Sequence, residues 1–182
     1  MGKRFQIRDY DIVFSGLKEG EHSYIFKITD SFLKNYGFNE LDKVDIEVNT
    51  IFLKKNSLME LNLKGKGSYI LICDISNEEF LYRVDSELSF IIKFGEYYND
   101  DNDQYVIIPH NSFKFNVAKS IYEMIVLSIP QKRIHPGVID GSLNSKTVKI
   151  LNKLTPGAKE TKKTKLDPRW NKLKDYLWLK PI

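Results

Sequence analysis

Hydrophobic and polar residues alternate with a period of two over 80–94. Phe80, Tyr82, Val84, Leu88, Phe90, Ile92 and Phe94 take the even positions, and Arg83, Asp85, Glu87 and Lys93 the odd ones. A period of two predicts a strand with one buried face, since helical burial recurs every 3.6 residues. The run is longer than the usual strand of about five or six residues, so it is expected to bend around a core, with Ser86 interrupting its apolar face. The apolar stretch Tyr69-Ile-Leu-Ile-Cys73 precedes it, and the polar Asn77-Glu78-Glu79 predicts a hairpin between the two. The rest of the chain reads as flanks to this hairpin over 68–95.

Loose alternation over 5–14 and clean alternation over 22–29 predict two strands separated by a turn at 15–20. Asp30 or Ser31 can cap a short helix through Phe32, Leu33 and Tyr36, stopped by Gly37. Strands over 43–54 and 58–66 then form a second hairpin. Gly65-Lys66-Gly67-Ser68 lacks the spacing of a phosphate loop and reads as a flexible link. The acidic run 96–104 lacks the glycine and glutamate of a calcium loop and is expected to be solvated. A strand over 105–109 and a helix from Asn116 to about Leu127 follow, the helix burying Ile121, Tyr122, Ile125 and Val126 and ending before Pro130. Residues 131–144 are turn-rich and 145–154 suit a short helix. The predicted class is α+β and β-rich: a curved antiparallel sheet or partly open barrel over about 4–130, with a few packing helices and a basic C-terminal arm. Residues 1–154 are read as the domain and 155–182 as the arm.

At 182 residues, with 42% hydrophobic and 29% charged residues, the composition is that of a folded globular protein. No apolar run reaches the length of a membrane span or of a secretory signal, and one cysteine cannot form an internal disulfide. These features predict a cytoplasmic protein with no membrane partner. The net charge of +4 is unevenly divided: 153–182 holds nine Lys or Arg against three acids, a net +6 that leaves −2 for 1–152. A basic tail on a slightly acidic body points to a polyanionic partner, with a merely solvated charged tail as the bland alternative.

No nucleophile elbow, zinc-protease helix motif or dinucleotide fingerprint is present, and His22, His110 and His135 are scattered. No enzyme, no cofactor and no small-molecule substrate are therefore expected. Cys73 reads as a buried, inert thiol. Cys73-Asp-Ile-Ser76 has the spacing of a zinc knuckle whose second sulfur is an oxygen, which leaves too few strong ligands for a closed site, so no metal is expected. Binding chemistry lies in the tail, where 158–165 has little to bury and reads as a linker. Asp167-Pro168 suits a helix start, after which Trp170, Leu173 and Leu177 share one face. Lys162, Lys163, Lys165, Arg169, Lys172 and Lys174 are the candidate phosphate contacts, and Trp170 could stack on an unpaired base. The competing reading is that Trp170, Leu173 and Leu177 pack on the protein's own body or into a partner's groove.

Several pieces in order resemble the YceD family of large ribosomal RNA subunit accumulation proteins. They are the strand ending in Cys73-Asp74 with the long strand to Lys93-Phe94-Gly95, then Ile121-Tyr122-Glu123 with Leu127-Ser-Ile-Pro130 and His135, and finally Asp167-Pro168-Arg169-Trp170 leading to Leu173. The resemblance implies a bacterial cytoplasmic protein needed for accumulation of large-subunit (23S) ribosomal RNA, with no established catalysis. Members of the family it resembles often carry a second cysteine where Ser76 stands here, and some add another near the 140–142 turn, where this chain has Ser142. The resemblance therefore brings no metal or redox role to this chain, and the hairpin's task is expected to be structural. The expected function is a non-catalytic ribosome-biogenesis factor whose partner is ribosomal RNA or a pre-ribosomal particle, with a ribosomal or maturation protein as a further partner. The alternative is a protein-interaction adaptor that docks through the terminal helix without touching nucleic acid, and salt dependence separates the two.

Overall fold

The computed structural model describes residues 6–143 and 145–154. A single turn of 3-10 helix at Ile7–Tyr10 leads into β1 (Asp11–Val13), followed by β2 (Gly20–Thr29), α1 (Asp30–Asn35), β3 (Asp42–Lys54), β4 (Leu58–Ile72) and β5 (Glu79–Gly95). Then come β6 (Asn99–Asn102), β7 (Tyr105–Pro109), β8 (Lys114–Asn116), α2 (Ala118–Leu127), α3 (Pro136–Ile139) and α4 (Lys146–Leu154). The strands form a six-stranded sheet in the order β2-β3-β4-β5-β7-β6 and a separate β1-β8 ribbon. The α+β, β-rich reading holds. β2 and β6 remain as edges, so the sheet is curved and open and no barrel closes.

The period-two pattern sets the core. Val44, Ile46, Val48 and Phe52 from β3, Leu61, Leu63, Tyr69 and Leu71 from β4, and Phe80, Val84, Phe90 and Ile92 from β5 are buried on one face. The ribbon, α1 and α2 cover that face: Tyr10 lies over Phe26 and Phe32, Phe14 over Phe52 and Phe94, and Phe115 against Phe90. α2 buries Ala118, Ile121, Met124 and Ile125, while the expected Tyr122 is half-buried and stacks on Tyr36 at 4.5 Å. Asn116 closes β8 instead of opening the helix, and its Oδ1 accepts the Ala118 N–H at 3.1 Å.

Three expectations are corrected. The 65–68 link is the middle of β4, which runs unbroken for 15 residues. Opposite it β3 is bulged: Asp42 pairs with Ile70 but Asp45 with Ser68, and Lys43 adopts φ 50°. The bulge leans onto Gly67, where a Cβ would lie 2.1 Å from the Asp45 carbonyl oxygen, so glycine is needed for close backbone approach rather than for flexibility. Asp30 Oδ1 accepts the Val44 N–H beside the bulge at 2.6 Å. The sheet is mixed rather than wholly antiparallel, because β7 inserts between β5 and β6 and runs parallel to β5. The acidic run is likewise no simple loop, since Asn99–Asn102 forms the sheet's outer edge, where charge discourages pairing with another chain.

Candidate functional site

The β4–β5 hairpin ends in a tight corner that carries the C-terminal limb. Cys73 N–H donates to the Glu78 carbonyl at 2.9 Å and Asn77 N–H to the Cys73 carbonyl at 2.9 Å, with Asn77 at φ 58°. The limb is buttoned on by polar contacts. Asp74 N–H donates to the Arg133 carbonyl at 2.8 Å, Arg133 N–H returns a bond to Asp74 Oδ2 at 2.8 Å, and His135 N–H donates to Cys73 Sγ at 3.2 Å. Ser76 N–H donates to the same sulfur at 3.4 Å. Burial pushes the Cys73 thiol up, but hydrogen bonding from Ser76, His135 and Ile75 outweighs it and holds the thiol below its ordinary range. The thiol thus acts as a buried acceptor that ties two segments together.

From that corner the chain is set turn by turn. His135 Nδ1 accepts the Gly137 N–H at 2.8 Å as the cap of α3, and the His135 ring meets the Phe80 ring at 67° with centroids 5.5 Å apart. Leu143 N–H then donates to the Gly137 carbonyl at 2.7 Å. Ser145 is buried and its Oγ accepts the Thr147 N–H at 3.3 Å, opening α4. The hairpin corner therefore helps to position a helix that begins about seventy residues after Cys73. No group of three or more His, Cys, Asp or Glu able to hold a metal occurs among the described residues.

α4 has the sequence KTVKILNKL, with no acid in it. Lys146, Lys149 and Lys153 fall at i, i+3 and i+7, one row on the helix surface, and all three are exposed. None has an ion-pair partner among the described residues. The outer face of the sheet contrasts with this. There the registered row Lys27, Glu47, Lys66 and Asp85 alternates in sign across four strands, and Lys66 meets Asp85 at 3.3 Å. That face neutralises itself, whereas α4 presents unopposed positive charge.

The candidate residues Lys162, Lys163, Lys165, Arg169, Trp170, Lys172 and Lys174, with Leu173 and Leu177, lie outside the described residues. Sequence reasoning placed a helix over 145–154 but did not read its lysine row, although the three-and-four spacing of Lys146, Lys149 and Lys153 was the signal for it.

A family model described as "Large ribosomal RNA subunit accumulation protein YceD" matches residues 61–177. The chain belongs to this family. The YceD match begins inside β4, takes in the hairpin, the Cys73 corner and α4, and ends at Leu177, so every candidate residue of the tail falls within it. It leaves β1, β2, α1 and β3 outside. The YceD description implies a role in accumulation of large-subunit ribosomal RNA and names no reaction. Neither the search of curated proteins nor that of solved structures returned a match. No helix among the described residues is long and apolar enough to cross a membrane.

Proposed function

We propose that this chain is a non-catalytic ribosome-biogenesis factor that binds precursor large-subunit RNA, alone or in a pre-ribosomal particle, in the cytoplasm. In this reading 1–154 is a β-rich body and 155–182 a basic arm, and the RNA-binding surface is the lysine row of α4 continued by Lys162, Lys163, Lys165, Arg169, Lys172 and Lys174. The observation that carries it is the exposed, acid-free row of Lys146, Lys149 and Lys153 at the base of a segment with eight basic residues against three acids. Lysines that neutralise phosphates release counterions, so affinity should fall steeply with salt, with a logarithmic slope of about 0.7 per phosphate for a single strand.

The test is binding of the full-length protein to large-subunit ribosomal RNA fragments across a salt series. Replacing Lys146, Lys149 and Lys153 together by Gln should flatten the slope by about two. Replacing Lys162, Lys163 and Lys165 should flatten it by a similar amount. Absence of binding at low salt overturns the proposal. A second reading, the protein-interaction adaptor, is favoured by Ile150 and Leu154, which are 56% and 72% exposed on α4. It predicts capture of a ribosomal or maturation protein with little salt dependence.

A further inference from the structure

A groove of about 320 Å³ lies between α2 and the β6–β7 edge. Its floor is apolar, with Leu88, Phe90, Val106 and Phe115, and Leu127 stands at its lip. Leu127 is 81% exposed, although it ends the helix that buries Ile121, Met124 and Ile125. The rim is acidic, with Asp100, Asp103 and Glu123. The one cation lining the groove among the described residues, Lys119, is already held by Asp100 and lies 3.8 Å from Glu123. Such a rim repels nucleic acid and suits a ligand that is apolar on one face and basic around it.

We propose that the occupant is this chain's own C-terminal segment, with Trp170, Leu173 and Leu177 on the groove floor and Arg169, Lys172 and Lys174 toward the acidic rim. The complementarity is on both counts: the segment 155–182 carries eight basic residues against three acids, and those three apolar residues fall at i, i+3 and i+7, the spacing that a helix would gather on one face. The tether reaches. Fifteen residues separate Leu154 from Trp170, spanning up to about 50 Å extended and roughly 20 Å as a flexible coil. A body of some 150 residues has a radius of gyration of about 15 Å, so most of its surface lies within the extended reach. Tethering also puts the segment at an effective concentration of order millimolar, which populates a contact too weak to hold a free peptide. The docking goes beyond the proposed function and does not depend on it. Together the two make the groove a competitor for the lysines that would hold RNA.

Both tryptophans, Trp170 and Trp178, lie in this segment, so tryptophan emission reports on it without interference from the body. The experiment is emission and acrylamide quenching of the full-length protein without RNA, compared with the same protein in denaturant and with the variants Leu127→Lys and Asp103→Lys. Both positions are exposed, so neither change should unfold the body, and far-ultraviolet circular dichroism checks this. Docking predicts blue-shifted emission and several-fold weaker quenching in the wild type, reverting toward the unfolded values in each variant and independent of protein concentration. Emission equal to that of the unfolded chain overturns the proposal. So does protected emission that neither variant changes, or protection that appears only as concentration rises, which would assign the segment to another site or to a second copy.

Discussion

The long strands and the C-terminal limb hold their places by different physics. Along β3, Val44, Ile46, Val48, Thr50 and Phe52 are buried in strict alternation, and β4 and β5 keep the same alternation with half-buried positions at Gly67, Tyr82, Ser86 and Leu88. Across the described residues of 131–154, only Gly137 and Ser145 are buried. The limb is instead held mainly by polar contacts, to the hairpin through Asp74 and Cys73 and to the α1–β3 connection through an ion pair between Arg133 and Glu40, with Val138 and the His135 ring packed against the body. Burial gives the sheet its stability, while a limb held by a few polar contacts can open without unfolding the sheet. The exposed lysines sit on that limb.

The contrast is tested most severely by paired truncations. Phe52→Ala in the sheet should cost about 3–5 kcal/mol of unfolding free energy, because it leaves a cavity at a fully packed site. Ile150→Ala on α4 should stay within about 0.5 kcal/mol. Equal shifts in the denaturant midpoint would mean the limb is part of the cooperative core. Next come the two glycines of β4. Gly67→Ala drives a Cβ to 2.1 Å from the Asp45 carbonyl oxygen and 2.6 Å from the Ile46 Cα, which are backbone atoms. A cost at the upper end of about 1–3 kcal/mol is expected. Gly65→Ala meets the flexible end of Met124 at 2.9 Å and Ser86 Oγ at 3.1 Å, and should cost clearly less in the same urea titration.

Gly67 also shows where sequence reading stops. The alternation of Phe80 through Phe94 was legible because every residue needed for the inference lies within one strand. Gly65-Lys66-Gly67 looked like a link because a glycine pair is a local breaker signal, while the reason for Gly67 is the bulge at 42–45 on a neighbouring strand. The insertion of β7 beside β5 was hidden for a similar reason. The intervening connection holds its own edge strand and is shorter than the usual parallel crossover of a dozen residues or more. Cys73 was read correctly as buried, yet its partner His135 is sixty-two residues away. The groove had no sequence signal at all, since it is assembled from β5, β6, β7, β8 and α2.

A smaller effect separates local from global stability. Cys73→Ala removes the acceptor of the His135 and Ser76 N–H bonds and should cost about 1 kcal/mol. Amide exchange should then quicken at His135 and Gly137 while amides of β3 and β4 keep their protection. Loss of protection along β3 as well would show that limb and sheet unfold as one unit, and the contrast between them would fail.

The β1-β8 ribbon lies between these extremes, since it covers the core but is clasped by charge, and its test is the smallest in size. Burial would raise the Asp11 carboxyl, but Lys114 at 2.7 Å and Asn116 at 2.7 Å outweigh it and hold the carboxyl below its ordinary range. A carboxyl whose folded value is depressed favours the folded state when ionised. Its contribution is complete above the unfolded value near 4 and is withdrawn as pH falls toward the lowered one. Asp11→Asn should therefore lower the urea midpoint at pH 7 and shallow its decline between neutral pH and about pH 3, so that wild type and variant converge in acid. A constant gap at every pH would assign the loss to altered packing of the ribbon on Phe90 rather than to the Asp11–Lys114 charge pair.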